Sequence, residues 1–201
     1  MARKLVIDTC SVVNFFRYYY FDKKHGGQIN KKLIDFFISK INADEIIIID
    51  KVDVELQKWS DYSSMRERIR EKTADTAFLS SKVLSLSDKY FIEENERRVM
   101  AGFVNKDDGK IAVQLEREKF ENKHADLFLV AYCRHINDSG DEAVLITEET
   151  NSKESQKLYP KIPTICNNEH IIPYGIPYLL FEKYRKQLKF SLEVTPEQQT
   201  S

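Results

Sequence analysis

An α/β fold, arranged as a three-layer α/β/α sandwich around a parallel sheet, is what this sequence predicts, and three observations predict it. Four short apolar runs have strand character: Leu5 to Ile7, Glu45 to Ile49, Ala143 to Ile146 and Ile162 to Ile165. Within the second, Ile46-Ile47-Ile48-Ile49 continues without polar alternation, as suits a strand buried on both faces. Stretches of helical period separate the runs, which is the alternation that covers a parallel sheet with helices. At 201 residues and 42% hydrophobic content, the chain can bury such a core as one domain, read as residues 1–194 with a polar, flexible tail over 195–201.

The elements follow in order. A first helix is expected to start near Ser11 and to carry Val12, Val13, Phe15 and Phe16, and Gly26-Gly27 breaks the chain before a second from Asn30 to Ile41. Lys51 to Trp59 reads as a third. From Ser60 to Lys123 the pattern is charge-rich and helical, in Met65 to Lys72, Thr76 to Leu86 and Ile111 to Phe120, with no convincing strand. Its apolar residues, Phe78, Leu79, Val83, Leu84, Val113 and Leu115 among them, predict a helical insertion over 60–123 folded onto the sheet domain. Ala125 to Ile136 is strongly helical. Pro177 to Leu188 reads as a closing helix with proline in its first turn.

Charge is balanced, 31 basic against 32 acidic residues, so any nucleic-acid function has to come from local segregation of charge. No stretch approaches a signal-peptide core or a membrane span, and the chain reads as cytoplasmic. Cys10, Cys133 and Cys166 have neither CxxC spacing nor histidines placed as zinc partners, and read as reduced core or near-core thiols.

The informative feature is the placement of acids. Asp8 directly follows the first strand, Glu55 lies in the helix after the second, and Glu149 follows the third; open α/β sheets place their ligand crevice there. Asp126, opening the helix that leads into the third strand, can join them if that helix runs antiparallel to the sheet. Four carboxylates held together repel one another and need a cation to stay ionised, and an oxygen-only set favours Mg²⁺ or Mn²⁺. Such an ion lowers the pKa of a bound water and neutralises charge on a phosphodiester, the chemistry of a nuclease. Thr9, Ser11 and Thr147 supply hydroxyls beside the acids, suited to orienting a water or a phosphate oxygen.

Val6-Ile7-Asp8-Thr9-Cys10-Ser11-Val12-Val13 resembles the first motif of PIN-domain proteins, and Val52-Asp53-Val54-Glu55-Leu56 resembles the second. Ala125-Asp126-Leu127, with Ala131 one turn on, is similar to the third, and Leu145-Ile146-Thr147-Glu148-Glu149 to the Thr-x-acid end of the fourth. The resemblance spans residues 5–149 and implies a PIN-like nuclease: Asp8, Glu55, Asp126 and Glu149 as catalytic and metal-binding residues, Mg²⁺ or Mn²⁺ as cofactor and RNA as substrate. It also implies kinship with toxin-type ribonucleases of toxin-antitoxin pairs, which an inhibitory protein holds in check. Two positions depart from the pattern. Cys10 stands where Ser or Asn is usual, and Glu149 replaces a shorter Asp. The long spacing from Glu55 to Asp126 points to a larger, poorly characterised branch.

Plainer readings accompany each residue. Asp8 is also a good N-cap for the first helix, and Asp126 a dipole-favoured first-turn residue. Asp53 competes with Glu55, and Glu148 with Glu149. His124 reads as solvated, and Tyr18, Tyr19 and Tyr20 as packing residues that can alternatively stack bases. Lys23, Lys24, Lys31 and Lys32 are candidates for an RNA-binding rim near Asp8, whereas Lys183, Arg185, Lys186 and Lys189 read as a solvated helix face. The leading expectation is a metal-dependent endoribonuclease. The alternative is a catalytically silent PIN-like module that binds a protein partner, or a second copy of itself, through the helical insertion. An aspartyl-phosphate phosphatase is disfavoured, because no second Asp stands two positions after Asp8.

Overall fold

The computed structural model describes residues 3–20, 28–59, 67, 72–122, 124–150 and 158–188, with the backbone alone for 18–20 and 28–32. Four parallel strands form one sheet: β1 (Arg3–Ile7), β2 (Ile46–Ile47), β3 (Glu142–Ile146) and β4 (Ile172–Tyr174), in the order β2-β1-β3-β4. The architecture is the three-layer α/β/α sandwich. Leu5, Val6 and Ile7 of β1 and Val144, Leu145 and Ile146 of β3 are all fully buried, so the unbroken apolar runs do mark strands covered on both faces. Register at the centre is pinned by a charge pair: Arg3 lies directly opposite Glu142 and grips its carboxylate through Nε (2.9 Å) and Nη2 (2.7 Å).

On one side, α1 (Thr9–Tyr20) packs against α2 (Gln28–Asn42), with Phe15 stacked on Phe37 at 4.5 Å and Phe16 edge-on to it at 5.7 Å. A short α3 (Asp50–Leu56) follows β2. A 3₁₀ turn (Ala77–Leu79), α4 (Ser80–Tyr90), α5 (Glu93–Ala101) and α6 (Lys106–Asn122) then form the predicted insertion. Next, α7 (Ala125–Asp138) packs on β1 and β3 and against α4 and α8 (Ile162–Asn168). Leu79, Val83, Leu86 and Val113 of the insertion join the same buried cluster as the strands, so the insertion shares the core of the sheet domain.

Several expectations are corrected. Ile162–Ile165 is the start of helix α8, not a strand; Pro163 sits in the first helical turn, where its missing N–H costs nothing. The fourth strand is instead Ile172–Tyr174, a three-residue edge strand whose proline suits an edge position. The insertion is not purely helical, because Ala74 makes a parallel bridge to Ile49, donating its N–H to Ile48 O (2.9 Å) and accepting one from Asp50 (2.9 Å). The closing helix is a π-helical turn, Tyr178–Lys183, closed by Tyr184 N–H onto Leu179 O five residues back at 3.1 Å. It breaks at Tyr184 before α9 (Arg185–Leu188). Of Met65 to Lys72, only 67 and 72 are described.

Three returns from helix to strand share one device. Asp44 after α2, Gly140 after α7 and His170 after α8 have φ of 54°, 90° and 56°. Each donates its N–H three residues back, and the next residue donates five back: Glu45 to Lys40 O (3.0 Å), Asp141 to Ile136 O (3.3 Å) and Ile171 to Cys166 O (2.9 Å). This is the paired-bond helix stop, which satisfies orphan carbonyls through one left-handed residue.

Candidate carboxylate site

The chain crosses from β1 outward to β2 and then back over to β3 and β4, so neighbouring strands β1 and β3 run on in opposite directions beyond their carboxyl ends. A crevice opens at such a point. Asp8 leaves β1 there and Thr147-Glu148-Glu149 leave β3.

Asp8 is buried. Its Oδ1 accepts the Ser11 N–H at 2.6 Å, and its Oδ2 accepts the Thr147 hydroxyl at 2.6 Å. The first bond caps α1, so the helix-cap reading of Asp8 is realised in the structure. Burial pushes the Asp8 carboxyl above its ordinary value, and the nearby charge of Glu149 adds to the rise. The Ser11 hydroxyl is fully buried beside this carboxyl without completing a hydrogen bond of good geometry.

Glu55 spans two helix starts. Its Oε1 accepts the N–H of Ala125, first residue of α7, at 3.0 Å, and its Oε2 accepts the Thr9 hydroxyl on α1. Asp53 is buried within α3. Glu149 Oε2 accepts the N–H of Ile162, first residue of α8, at 2.9 Å, and its own N–H donates to Thr147 Oγ1 at 3.1 Å. Glu148 turns away to the N–H of Ile176 at 2.6 Å, against Gly175, where a Cβ would meet its Oε1 at 2.9 Å. Of the second pair, Glu148 is thus directed to Ile176 while Glu149 is directed to the start of α8.

Convergence of the acids registers on Cys10. Its thiol is pushed up to about 11, by burial first and then by the charges of Asp8, Asp126, Glu149 and Glu55. Cys133 and Cys166 are fully buried, as expected of core or near-core thiols, whereas Cys10 is exposed at the residue level, which corrects that expectation for it. Cys166, fully buried in α8, is raised to about 12 by burial and by the charges of Asp126, Asp8 and Glu149. Asp126 and Glu149 also line one pocket of about 80 Å³ with Glu116, Phe120, His124, Tyr159 and Lys161. His124 is exposed at the start of α7, as expected, but it borders this pocket.

Tyr159 and Lys161 carry no sequence signal. The partners of Tyr159 lie far along the chain, and the fold brings both residues to the pocket that Asp126 lines. Lys23 and Lys24 lie outside the described residues, as do the side chains of Lys31, Lys32 and Tyr18 to Tyr20. Arg185 and Lys186 are exposed on α9, as expected of a solvated face, Lys183 is half-buried, and Lys189 lies outside the described residues.

The donors suit a hard cation. They are carboxylate oxygens supported by hydroxyls, with an orphaned buried hydroxyl among them. Among the described residues no three acidic, imidazole or thiol side chains stand together closely enough to hold one ion. Mg²⁺ is commonly held by one or two carboxylates and several waters, so a closed protein cage is not what this chemistry demands.

Residues 5–189 match a family described as a domain of unknown function, DUF4411. The chain belongs to that family. Comparison with curated proteins and with solved structures gave no match. The match to DUF4411 spans all of the sheet but the first two residues of β1, together with the helices between β2 and β3 and all four acids.

Proposed function

We propose that this chain is a metal-dependent nuclease acting on RNA, with Asp8, Glu55, Asp126 and Glu149 as its acidic site. The observation that carries the reading is the linkage of the acids at the carboxyl edge of β1 and β3: the Thr147 hydroxyl joins Asp8 to the Glu149 N–H, and Glu55 joins the start of α1 to the start of α7, where Asp126 stands. RNA as the substrate rests on the resemblance of the four segments to PIN-domain motifs.

The chain's own residues would prepare the site. Ser11 N–H and Thr147 fix both oxygens of Asp8, Ala125 N–H and Thr9 fix Glu55, and Ile162 N–H fixes Glu149. Each acid therefore meets the amino end of a helix, where the partial positive charge of the unpaired N–H groups offsets mutual repulsion. Mg²⁺ or Mn²⁺, when bound, supplies Lewis acidity and neutralises charge gathering on the phosphate. Asp8, Glu55, Asp126 and Glu149 would hold the ion.

The test is cleavage of labelled single-stranded and hairpin RNA with Mg²⁺ or Mn²⁺, alongside EDTA and the Asp8→Asn and Asp126→Asn proteins. Cleavage that EDTA and both substitutions abolish is the expected result. No cleavage together with no Mn²⁺ binding by calorimetry sinks the proposal. One observation favours a second reading, a silent partner-binding module: the carboxylates already serve as helix caps. EDTA-sensitive cleavage by the wild type removes it. An inhibitory protein partner, as in toxin-antitoxin pairs, stands as a further proposal to be tested by co-purification.

A further inference from the structure

We propose that the helical insertion is a working wall of the acidic site, and that Tyr159 is the positioning residue through which it holds Glu149 in place. The inference rests on the reading of the acids as a site and deepens it, because it assigns the insertion a part there.

The path is continuous. Tyr159 lies flat on Phe120 of α6, with ring centroids 3.8 Å apart and planes 7° from parallel, and edge-on to Phe91 at 5.8 Å. Its hydroxyl shares a 2.7 Å hydrogen bond with Ser87 of α4. Ser87 in turn donates to Glu121 Oε1 at 2.7 Å, an oxygen that also accepts from Arg117 Nε at 2.9 Å. One residue earlier, Leu158 O accepts the Ile92 N–H at 2.8 Å, so four residues of the insertion, Ser87, Phe91, Ile92 and Phe120, grip one short stretch. That stretch ends at Ile162, whose N–H is the donor to Glu149 Oε2 at 2.9 Å.

Tyr159 is 3% exposed, and a tyrosine buried in a connecting segment with both ring and hydroxyl engaged is a rigid anchor. The same residues line the acidic pocket: Phe120 and Glu116 from the insertion, Leu158 to Lys161 from the anchored stretch, and Asp126 and Glu149 from the sheet domain. Replacing a group that orients a ligating carboxylate typically costs about 10–100-fold in metal affinity.

The experiment uses the full chain and three variants. Tyr159→Leu removes stack and hydroxyl, Tyr159→Phe removes the hydroxyl alone, and Lys82→Ala cuts the ion pair of α4 with Asp138 near the opposite end of that helix. Amide hydrogen exchange over 158–165 reports the Glu149 to Ile162 bond directly, and Mn²⁺ affinity reports its effect. Exchange in that stretch is expected to accelerate several-fold in Tyr159→Leu and less in Tyr159→Phe. Mn²⁺ affinity should fall about 10-fold in Tyr159→Leu, with Lys82→Ala unchanged in both readouts. Wild-type exchange over 158–165 in Tyr159→Leu overturns the proposal, as does equal loss in Lys82→Ala. If the wild type binds no Mn²⁺, the nuclease reading falls while exchange still decides the positioning claim. Should Tyr159→Leu fail to fold, Phe120→Leu, which removes the stack from the other side, is held to the same outcomes.

Discussion

Ionising Asp8 costs the metal-free protein stability, because its carboxyl is buried and shares the crevice with Glu149. Its pKa is raised in the fold, so its contribution is fully present below the unfolded value near ~3.9 and is lost as pH rises through the folded value. At neutral pH in EDTA, Asp8→Asn is therefore expected to melt about 2–4 °C above the wild type, the shift for roughly 1 kcal/mol in a domain of this size. Asn keeps the α1 cap, since it caps about as well as Asp. Millimolar Mn²⁺ should narrow or reverse the order, because the wild type alone gains the full binding free energy. Thermal melts under both conditions check this, and curves that coincide and ignore metal would remove the carboxylate cluster. Cys10 gives a second residue-level measure. With its thiol near 11, alkylation by iodoacetamide should still be accelerating above pH 10, and a plateau near pH 9 would contradict the crowding of acids around it.

Among the elements, the three left-handed returns make separable predictions. Gly140 has open space where a Cβ would sit, so Gly140→Ala tests backbone conformation alone and should cost about 1 kcal/mol. His170→Gly relieves the same strain but frees the unfolded chain, so its gain should be a few tenths of a kcal/mol. Denaturant midpoints measure both. Glu169 ties α8 to α4 and α7: its nearly buried carboxylate accepts from Lys89 (2.6 Å), Tyr90 and Arg134 (2.9 Å). Burial raises its pKa, but these partners outweigh that and hold it below the usual range. Its contribution is therefore present above the unfolded value near ~4.3 and fades as pH falls through the folded one, and Glu169→Gln should cost about 2 kcal/mol at pH 7. Equal stability of the two proteins at pH 7 would contradict the clasp.

For the whole molecule, the insertion's share of the core predicts one cooperative transition. Leu79, Val83, Leu86 and Val113 pack into the cluster that contains the strands. Trp59 fluorescence and far-UV circular dichroism should melt together, and a chain lacking 80–122 should not fold; a cooperative melt of that shortened chain would contradict the shared core. Much of this architecture was legible in the sequence. Strands β1 and β3 stand out because both faces of each are buried, leaving unbroken apolar runs such as Leu5-Val6-Ile7. Four acids at strand and helix ends were legible for a similar reason, since a strand end fixes where the next residue points. Ile162–Ile165 misled because two β-branched isoleucines and a threonine read as a strand, whereas the position beside Glu149 makes the segment a helix start. Tyr159 was invisible because its partners Ser87 and Phe120 lie 72 and 39 residues away, beyond any local pattern.

The central pairing of β1 with β3 has a consequence for biosynthesis. Arg3 meets Glu142 across 139 residues, so β1 waits for β3 to be made. At about 5–20 residues per second, a ribosome takes roughly 7 to 28 seconds to cover that interval. Throughout it, β1 has no neighbour on its β3 side, and Asp8 stands apart from Thr147 and Glu149. A nascent chain that lacks β3 would therefore carry no assembled crevice, and on the proposed reading a nuclease made this way stays inert toward the message that encodes it until Thr147 and Glu149 have left the tunnel.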